Sequence, residues 1–593
     1  MKKQKCTGPH LSRKSVHSPV SDENKIRVPM QLASVFLFAL AALSLYSSVF
    51  SLACYDDPSS ASFPIIPVSL RKFRMSDEQL LFLRTDQSKS DGSSEEEDEG
   101  VDPTLRSLLA EPSEFQSDSC ASRAHHRRRH RQSRHEPQPS RELVQKLRNY
   151  EIQHRRCAGR AMDEFLRPDA DFARRGNSSE ARNGSRDECR YVVWIAYSGM
   201  GNRLMTLVST FLYALLTNRT LLVDGSTDMG ELFCEPIPRS SWLLPTEITR
   251  DWTRTLNESS PRRFGHKFSV SDHASPTATA EFSYVHLTQT SDDKDQVFFC
   301  DRGQDQLDSK PWLFLRSNAY FVPGLLFVSQ FRAELDLLFR DKEAVFHLLG
   351  RYLLHPSDAV WGWITRFRKA YLADHDHQVG IHVRTFGATP PPTVAEQIHR
   401  CVRNHHLLPR VTTTTTKKNF SGPDLARMSR NLEPATISVL VTSGQQYYYE
   451  NLRDRFLSGP SEGGESVSVH RLSLEASQKT DASGHDSRAW AEIYLLSLSD
   501  VLVTSGWSTV GYCAQALAGI KPWILLDSVD GRPADPPCVQ ARSAEPCFQT
   551  PPQVHCCFEE VQNPAAALPY VQPCEDVPWG IQLITPAPPS RPI

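Results

Sequence analysis

Tyr191–Asp224 reads YVVWIAYSGMGNRLMTLVSTFLYALLTNRTLLVD, and the order of its patterns decides the fold. Tyr191–Ala196 is a short apolar run of β-branched and aromatic residues, which predicts a buried strand. Ser198-Gly199-Met200-Gly201-Asn202-Arg203 follows as a glycine turn. Leu204–Leu216 is apolar on most faces, as in a deeply packed helix. Thr220–Asp224 predicts a second strand. Strand, glycine turn, helix and strand make a parallel βαβ unit.

The same alternation recurs downstream. Strands are predicted at Gln378–Val383, Ile437–Thr442, Val501–Val503 and Trp523–Leu526, with helical stretches at Glu492–Leu498 and Gly511–Leu517. This predicts an α/β fold of open parallel sheets with helices on both faces. The region from about residue 141 to 593 is too long for one such sheet, so two lobes flanking a cleft are expected, divided near residue 360. No fixed-period repeat is visible. Thr412–Thr416 and Ser458–Ser468 read as surface insertions.

Upstream the character changes. Val28–Ala53 carries no charged side chain, and Lys2, Lys3, Lys5, Arg13, Lys14, Lys25 and Arg27 precede it. A spanning helix needs about 20 apolar residues, and the positive-inside rule leaves the leader in the cytosol. The expectation is a cytosolic tail (1–27), a transmembrane signal anchor (28–54) and everything beyond on the far side of the membrane. A cleaved signal peptide is the rival, since Ser51 and Ala53 mimic a cleavage site. Residues 55–140 read as a disordered stem, with an acidic run Glu95–Glu99 and a basic run Arg123–His135 that cannot bury a core. The basic run would also suit a nucleic-acid patch. An anchored chain with net charge −2 argues instead for a solvated tether and no nucleic-acid partner.

Composition bounds the class. Hydrophobic residues are 39% and charged residues 23%, which excludes a collagen, a fully disordered chain and a polytopic membrane protein. The 14 cysteines include no CxxC zinc spacing. Five of them crowd Cys538–Cys574, and across a membrane they would pin that segment by disulfides of undetermined pairing. Sequons at Asn177, Asn183, Asn218, Asn257 and Asn419 agree with a secretory route.

Three stretches carry candidate chemistry. In SGMGNR the glycines allow close backbone approach and the helix start favours an anion; the plainer reading is a tight turn with Asn202 capping the helix. VGIHVRTF (379–386) ends a strand at Arg384, whose fork suits a phosphate, and His382 shares that face of the strand. A structural salt bridge is the alternative for Arg384. In VLVTSGWSTVGYCAQALAG (501–519), Thr504, Ser505, Ser508 and Thr509 lead into a helix, as a phosphate cradle or as an ordinary cap. GxGxxG, GKS/T and GxSxG are all missing, so dinucleotide, Walker and serine-hydrolase sites are not indicated. Asp374-His375-Asp376 has the spacing of a divalent-ion motif but precedes its strand, and reads as a loop cap.

These stretches, with DMGELFCEPIP, SWLLP, NAYFVPGL and CEDVPWGIQLI, resemble the plant xyloglucan-type fucosyltransferases, collinearly from about Arg141 to the end. The resemblance implies Golgi type II membrane enzymes with two Rossmann-like lobes of the GT-B type. They move L-fucose from GDP-fucose to a sugar hydroxyl, usually α1,2 and with inversion, without a metal or other cofactor. The implied partners are GDP-fucose, a polysaccharide or glycoprotein glycan acceptor and a single-pass membrane contact, with room for a homo-oligomer or a Golgi enzyme complex. The acceptor would be xyloglucan galactose, or arabinogalactan or another wall glycan; a decayed glycan-binding protein is the reading of a different class. By resemblance, Arg384 contacts the donor's β-phosphate. Gly199, Gly201, Asn202, Arg203, His382, Thr504, Ser505, Ser508, Thr509 and Tyr512 are the other candidate donor contacts. Asn318 is a candidate catalytic position where the family is expected to carry aspartate, and an amide cannot serve as a base.

Overall fold

The computed structural model describes residues 108–109, 120–124, 137–166, 189–246, 249, 255–268, 282–385, 390–412, 434–473, 483–528, 531–552 and 568–585. All of these fall in one compact unit, residues 97–593. The expected cytosolic tail, anchor and acidic run lie outside the described residues. Among those described, no helix is long and apolar enough to cross a membrane.

Two sheets organise the unit. The first has strand order β3-β2-β1-β5-β4, from Tyr191–Ile195 (β1), Thr220–Asp224 (β2), Leu243–Leu244 (β3), Phe282–Leu287 (β4) and Trp312–Ser317 (β5), all parallel. The second has order β11-β10-β9-β6-β7-β8. Its strands are His377–Val383 (β6), Thr436–Ser443 (β7), Ser466–His470 (β8), Val501–Ser505 (β9), Trp523–Leu525 (β10) and Cys538–Gln540 (β11). Only the β10–β11 edge pair of this sheet is antiparallel. The α/β class with parallel sheets therefore holds. β3, β4, β5, β8 and β11 were not predicted, and the helix after β1 begins at Met200 instead of Leu204.

The helices that matter for the site are α1 (Arg141–Leu166), α2 (Met200–Leu216), α3 (Val345–Leu353), α4 (Asp358–Tyr371), α5 (Pro392–Asn404), α6 (Gln446–Leu457), α7 (Ser483–Leu496) and α8 (Thr509–Ala518). Strand alternation sorts side chains between two faces. Val192 and Trp194 of β1 join Leu440 of β7, Leu502 of β9 and the apolar residues of α2, α3, α7 and α8 in one core that serves both sheets. Tyr191, Val193 and Ile195 face the other way, onto Cys157, Ala158 and Ala161 of α1. Val379, Ile381 and Val503 pack on α5 and α6 in the same manner. Every residue of α2 is buried except Asn202, which confirms the deep packing predicted from its composition.

The predicted stem reaches too far. Leu108 is fully buried in the shared core, and Cys120 is bonded to Cys234. Ala121 N donates to Asp358 Oδ1 and Arg123 to Glu235 O, so Cys120–Ala124, with the first arginine of the basic run, belong to the folded unit. These contacts lie over a hundred residues apart in sequence and leave no local signature. The predicted disulfide pinning is present: Cys401–Cys538 ties α5 to β11 and Cys547–Cys574 closes the C-terminal segment, beside Cys157–Cys189.

Candidate active site

Each sheet has one point where the chain reverses the direction in which it adds strands, and ligands of open α/β sheets bind beyond such points. In the first sheet it lies between β1 and β5, so SGMGNR and Asn318 flank it. In the second it lies between β6 and β9, so Arg384 and the Ser505–Thr509 loop flank it.

Around the second point the polar groups interlock. Arg384 is exposed at the end of β6, and its backbone N–H donates to Ser505 Oγ at 3.0 Å. His382 is buried between Thr442 Oγ1 (2.8 Å from Nδ1) and Ser508 Oγ (2.7 Å from Nε2). Burial, reinforced by the Arg384 charge, holds its pKa down at about 3, so the imidazole is neutral and acts as a brace. Ser508 occupies the cap position of α8, but its hydroxyl is taken by His382 and caps nothing. The first amides of α8 therefore lack a side-chain cap from Ser508, and the helix dipole favours negative charge at this end. Thr504 is buried, and its Cβ stands 3.0 Å from where a Cβ on Gly511 would fall, so a side chain there would crowd Thr504 and glycine lets the helix sit close to β9.

The first point is built differently from the expectation. Gly199, not Asn202, stands at the cap of α2. A Cβ on Gly201 would fall 2.6 Å from Thr509 C, and Cys513 Sγ donates to Gly201 O at 3.2 Å, so this glycine makes room for α8, which follows a strand of the other sheet. Asn202 spans the two halves: its amide donates to Asn318 O (2.6 Å), and its Oδ1 accepts from Thr509 Oγ1 (3.4 Å). Arg203 points inward, 1% exposed, to Asp228 Oδ1 (3.0 Å) and to Asp486 Oδ2 of α7 (3.4 Å). Its Nε also holds Ser198 O at 3.0 Å, where Ser198 adopts φ 68°. Arg203 therefore shapes the turn and joins the two halves from within the core; it does not face the site as a donor contact. Asn318 is half-buried, and its amide donates to Gln289 Oε1.

Residues 80–557 match the xyloglucan fucosyltransferase family. The chain belongs to this family. It is 42% identical over 488 residues to a galactoside 2-alpha-L-fucosyltransferase of Arabidopsis thaliana, covering 82% of this chain and 83% of that one. A protein of the same name from Pisum sativum is 41% identical over 449 residues, covering 75% and 76%. Among solved structures, a point mutant of Arabidopsis thaliana FUT1 in complex with GDP superposes with TM-score 0.69 at 40% identity, over 82% of this chain and all of that one.

In this xyloglucan fucosyltransferase, two bracing carboxylates were not singled out in the sequence. Asp576, in the C-terminal hairpin, accepts from Trp507 N (2.8 Å) and Tyr512 OH (2.6 Å) through Oδ2, and its backbone O accepts from Trp507 Nε1 (2.6 Å). Tyr512, a candidate donor contact, is buried and turned toward Asp576. Glu545 is buried, accepting from Tyr320 OH and, at 2.7 Å, from Phe346 N. Burial raises its carboxyl to about 8. The fold thus holds this proton more tightly than the unfolded chain does, and stability falls as pH rises from about 4.5 to about 8. Denaturant midpoints are expected to drop from about pH 5 to about pH 8, and Glu545→Gln to flatten the slope. An equal slope in the variant would remove Glu545 from the effect.

The remaining candidates sort readily. Asp376 Oδ2 accepts from Thr436 N (2.8 Å) and Oγ1 (3.0 Å), the loop cap expected of it. Among the described residues one group has metal-ligand proximity, Cys547, Cys574 and Asp576, but its two sulfurs are bonded to each other. Asn218 and Asn257 are exposed; Asn177, Asn183 and Asn419 lie outside the described residues.

Proposed function

We propose that this chain transfers L-fucose from GDP-fucose to a galactose 2-hydroxyl of a xyloglucan-type wall glycan, with inversion and without a metal. The supporting observation is the exposed Arg384 beside an α8 start whose cap hydroxyl is committed to His382. Cleavage of the fucose C1–O bond leaves negative charge on the β-phosphate. The guanidinium and the α8 amides stabilise that charge as it grows, a task that a divalent ion performs elsewhere. The acceptor oxygen attacks C1 from the opposite face, and its proton passes to water. Asn318 acts on the acceptor side as a hydrogen-bonding group, not as a base, because an amide cannot take the proton.

In this reading the two sheets are the lobes of a GT-B-type enzyme, divided near residue 360, with the second lobe holding GDP. Ser505, Thr509 and Thr504 shape the phosphate loop; Gly199, Gly201, Asn202 and Arg203 hold the opposite wall. The apolar segment 28–54 anchors the protein in the Golgi membrane as a type II protein, and the sequons receive glycans. GDP release from GDP-fucose with a panel of wall polysaccharides, with linkage analysis of products, tests the activity. Absence of both GDP release and product in wild type would end the reading. EDTA is expected to leave turnover unchanged, and a loss restored by manganese would bring a metal back into the mechanism.

A further inference from the structure

Trp507 and Trp579 are 42% and 57% exposed, unusual for so large an apolar side chain on a folded surface. Their rings meet at 5.1 Å and 81°, giving a right-angled corner of two indoles. The corner is built against local preference. Trp507 adopts φ 59°, a left-handed backbone that a bulky residue holds only when its surroundings impose it. Asp576 imposes it by accepting from both the backbone N–H and the indole N–H of Trp507. Those two donors are consumed, so Trp507 offers only the faces of its ring.

The position of the corner is equally specific. Trp507 lies between Ser505, which binds the Arg384 amide, and Ser508, which binds His382. Trp579 comes from the turn between β12 (Val571–Pro573) and β13 (Ile581–Leu583). That hairpin bridges Phe548 at Ile581, and Phe548 packs on Phe299 at 5.8 Å between ring centres. Thr585 N reaches Glu343 at 2.8 Å. The corner therefore stands where the Arg384 loop meets a segment fastened to the first half of the fold.

We infer that Trp507 and Trp579 form a stacking platform for a pyranose ring of the acceptor polysaccharide, next to the ring that receives fucose. A pyranose presents C–H groups on its face and hydroxyls at its rim, so an indole covers the face while the rim stays in water. The other flat ring at hand is the guanine of the donor. A guanine site needs groups that bond its edge, and Asp576 has already taken the N–H donors of Trp507. The platform rests on the fucosyltransferase reading for the identity of its ligand.

The test uses the full-length protein with GDP bound, and measures equilibrium binding of galactosylated xyloglucan polymer alongside the affinity for GDP. Trp507→Ala and Trp579→Ala are expected to weaken polymer binding by about tenfold each, and Trp579→Ala, outside the phosphate loop, to leave GDP affinity unchanged. Trp579→Phe is expected to recover most of the loss, with equal melting temperatures showing that the fold is intact. Polymer binding at wild-type strength in both alanine variants would overturn the platform even if wild type releases GDP from GDP-fucose. Weakened GDP binding in Trp579→Ala with polymer binding intact would overturn it in favour of the nucleobase. Polymer binding lost with the indoles, in a wild type that releases no GDP, would keep the platform and sink the transferase reading.

Discussion

Arg384→Ala is expected to lower GDP-fucose turnover by at least about 10²–10³-fold, the usual loss for a donor aimed at charge that develops in the transition state. The protein should stay folded. The side chain is exposed, and the contact fixing the end of β6 runs from the backbone N–H to Ser505, which alanine retains. The loss should fall mainly on kcat, because the charge is greatest once the C1–O bond is breaking. Arg384→Lys should recover part of the rate, since a point charge remains but the two-pronged geometry is lost. Wild-type turnover by the alanine variant would remove this guanidinium from the mechanism.

Arg203→Leu is expected to cost about 3–5 kcal/mol of stability, the range for removing one partner of a buried ion pair. Two carboxylates, Asp228 and Asp486, would be left facing each other without this cation in the core. Burial already raises Asp486 to about 6 against the pull of Arg203, with the nearby Asp228 charge adding to the rise. In wild type this group weakens the fold as pH rises from the ordinary carboxylate range to about 6, and no further. Without Arg203 the penalty should extend to higher pH. Asp228→Asn with Asp486→Asn, added to Arg203→Leu, should return much of the loss. Denaturant midpoints of the three proteins at about pH 5 and about pH 8 decide the matter. An Arg203→Leu protein as stable as wild type would sink the argument, and with it the role of this ion cluster in joining the two halves.

Much of the site was legible because its signals are local. A strand ending in Arg384 and a small-residue turn entering a helix at Thr509 are patterns of a few residues, and both switch-point loops were found from them. Arg203 was misplaced because its sequence position beside the glycines says nothing about the direction of its side chain. Asp486, its partner, lies 283 residues away. Asp576 and Glu545 were missed for the same reason: each braces residues on distant segments, and an isolated carboxylate in a loop carries no periodic signal.

Local chemistry by itself determined the α/β class, the strand–turn–helix units and the presence of a cation and hydroxyls at their ends, since each depends on φ/ψ preference and side-chain period within about ten residues. Tertiary structure alone decided what those groups face. The room left by Gly201 is filled by Thr509, the hydroxyl of Ser508 goes to His382 instead of its own helix, and Asp576 turns Trp507 outward. Each of these is a contact between segments brought together by burial of a common core. Such packing is non-directional and long-range, and a linear pattern does not encode it.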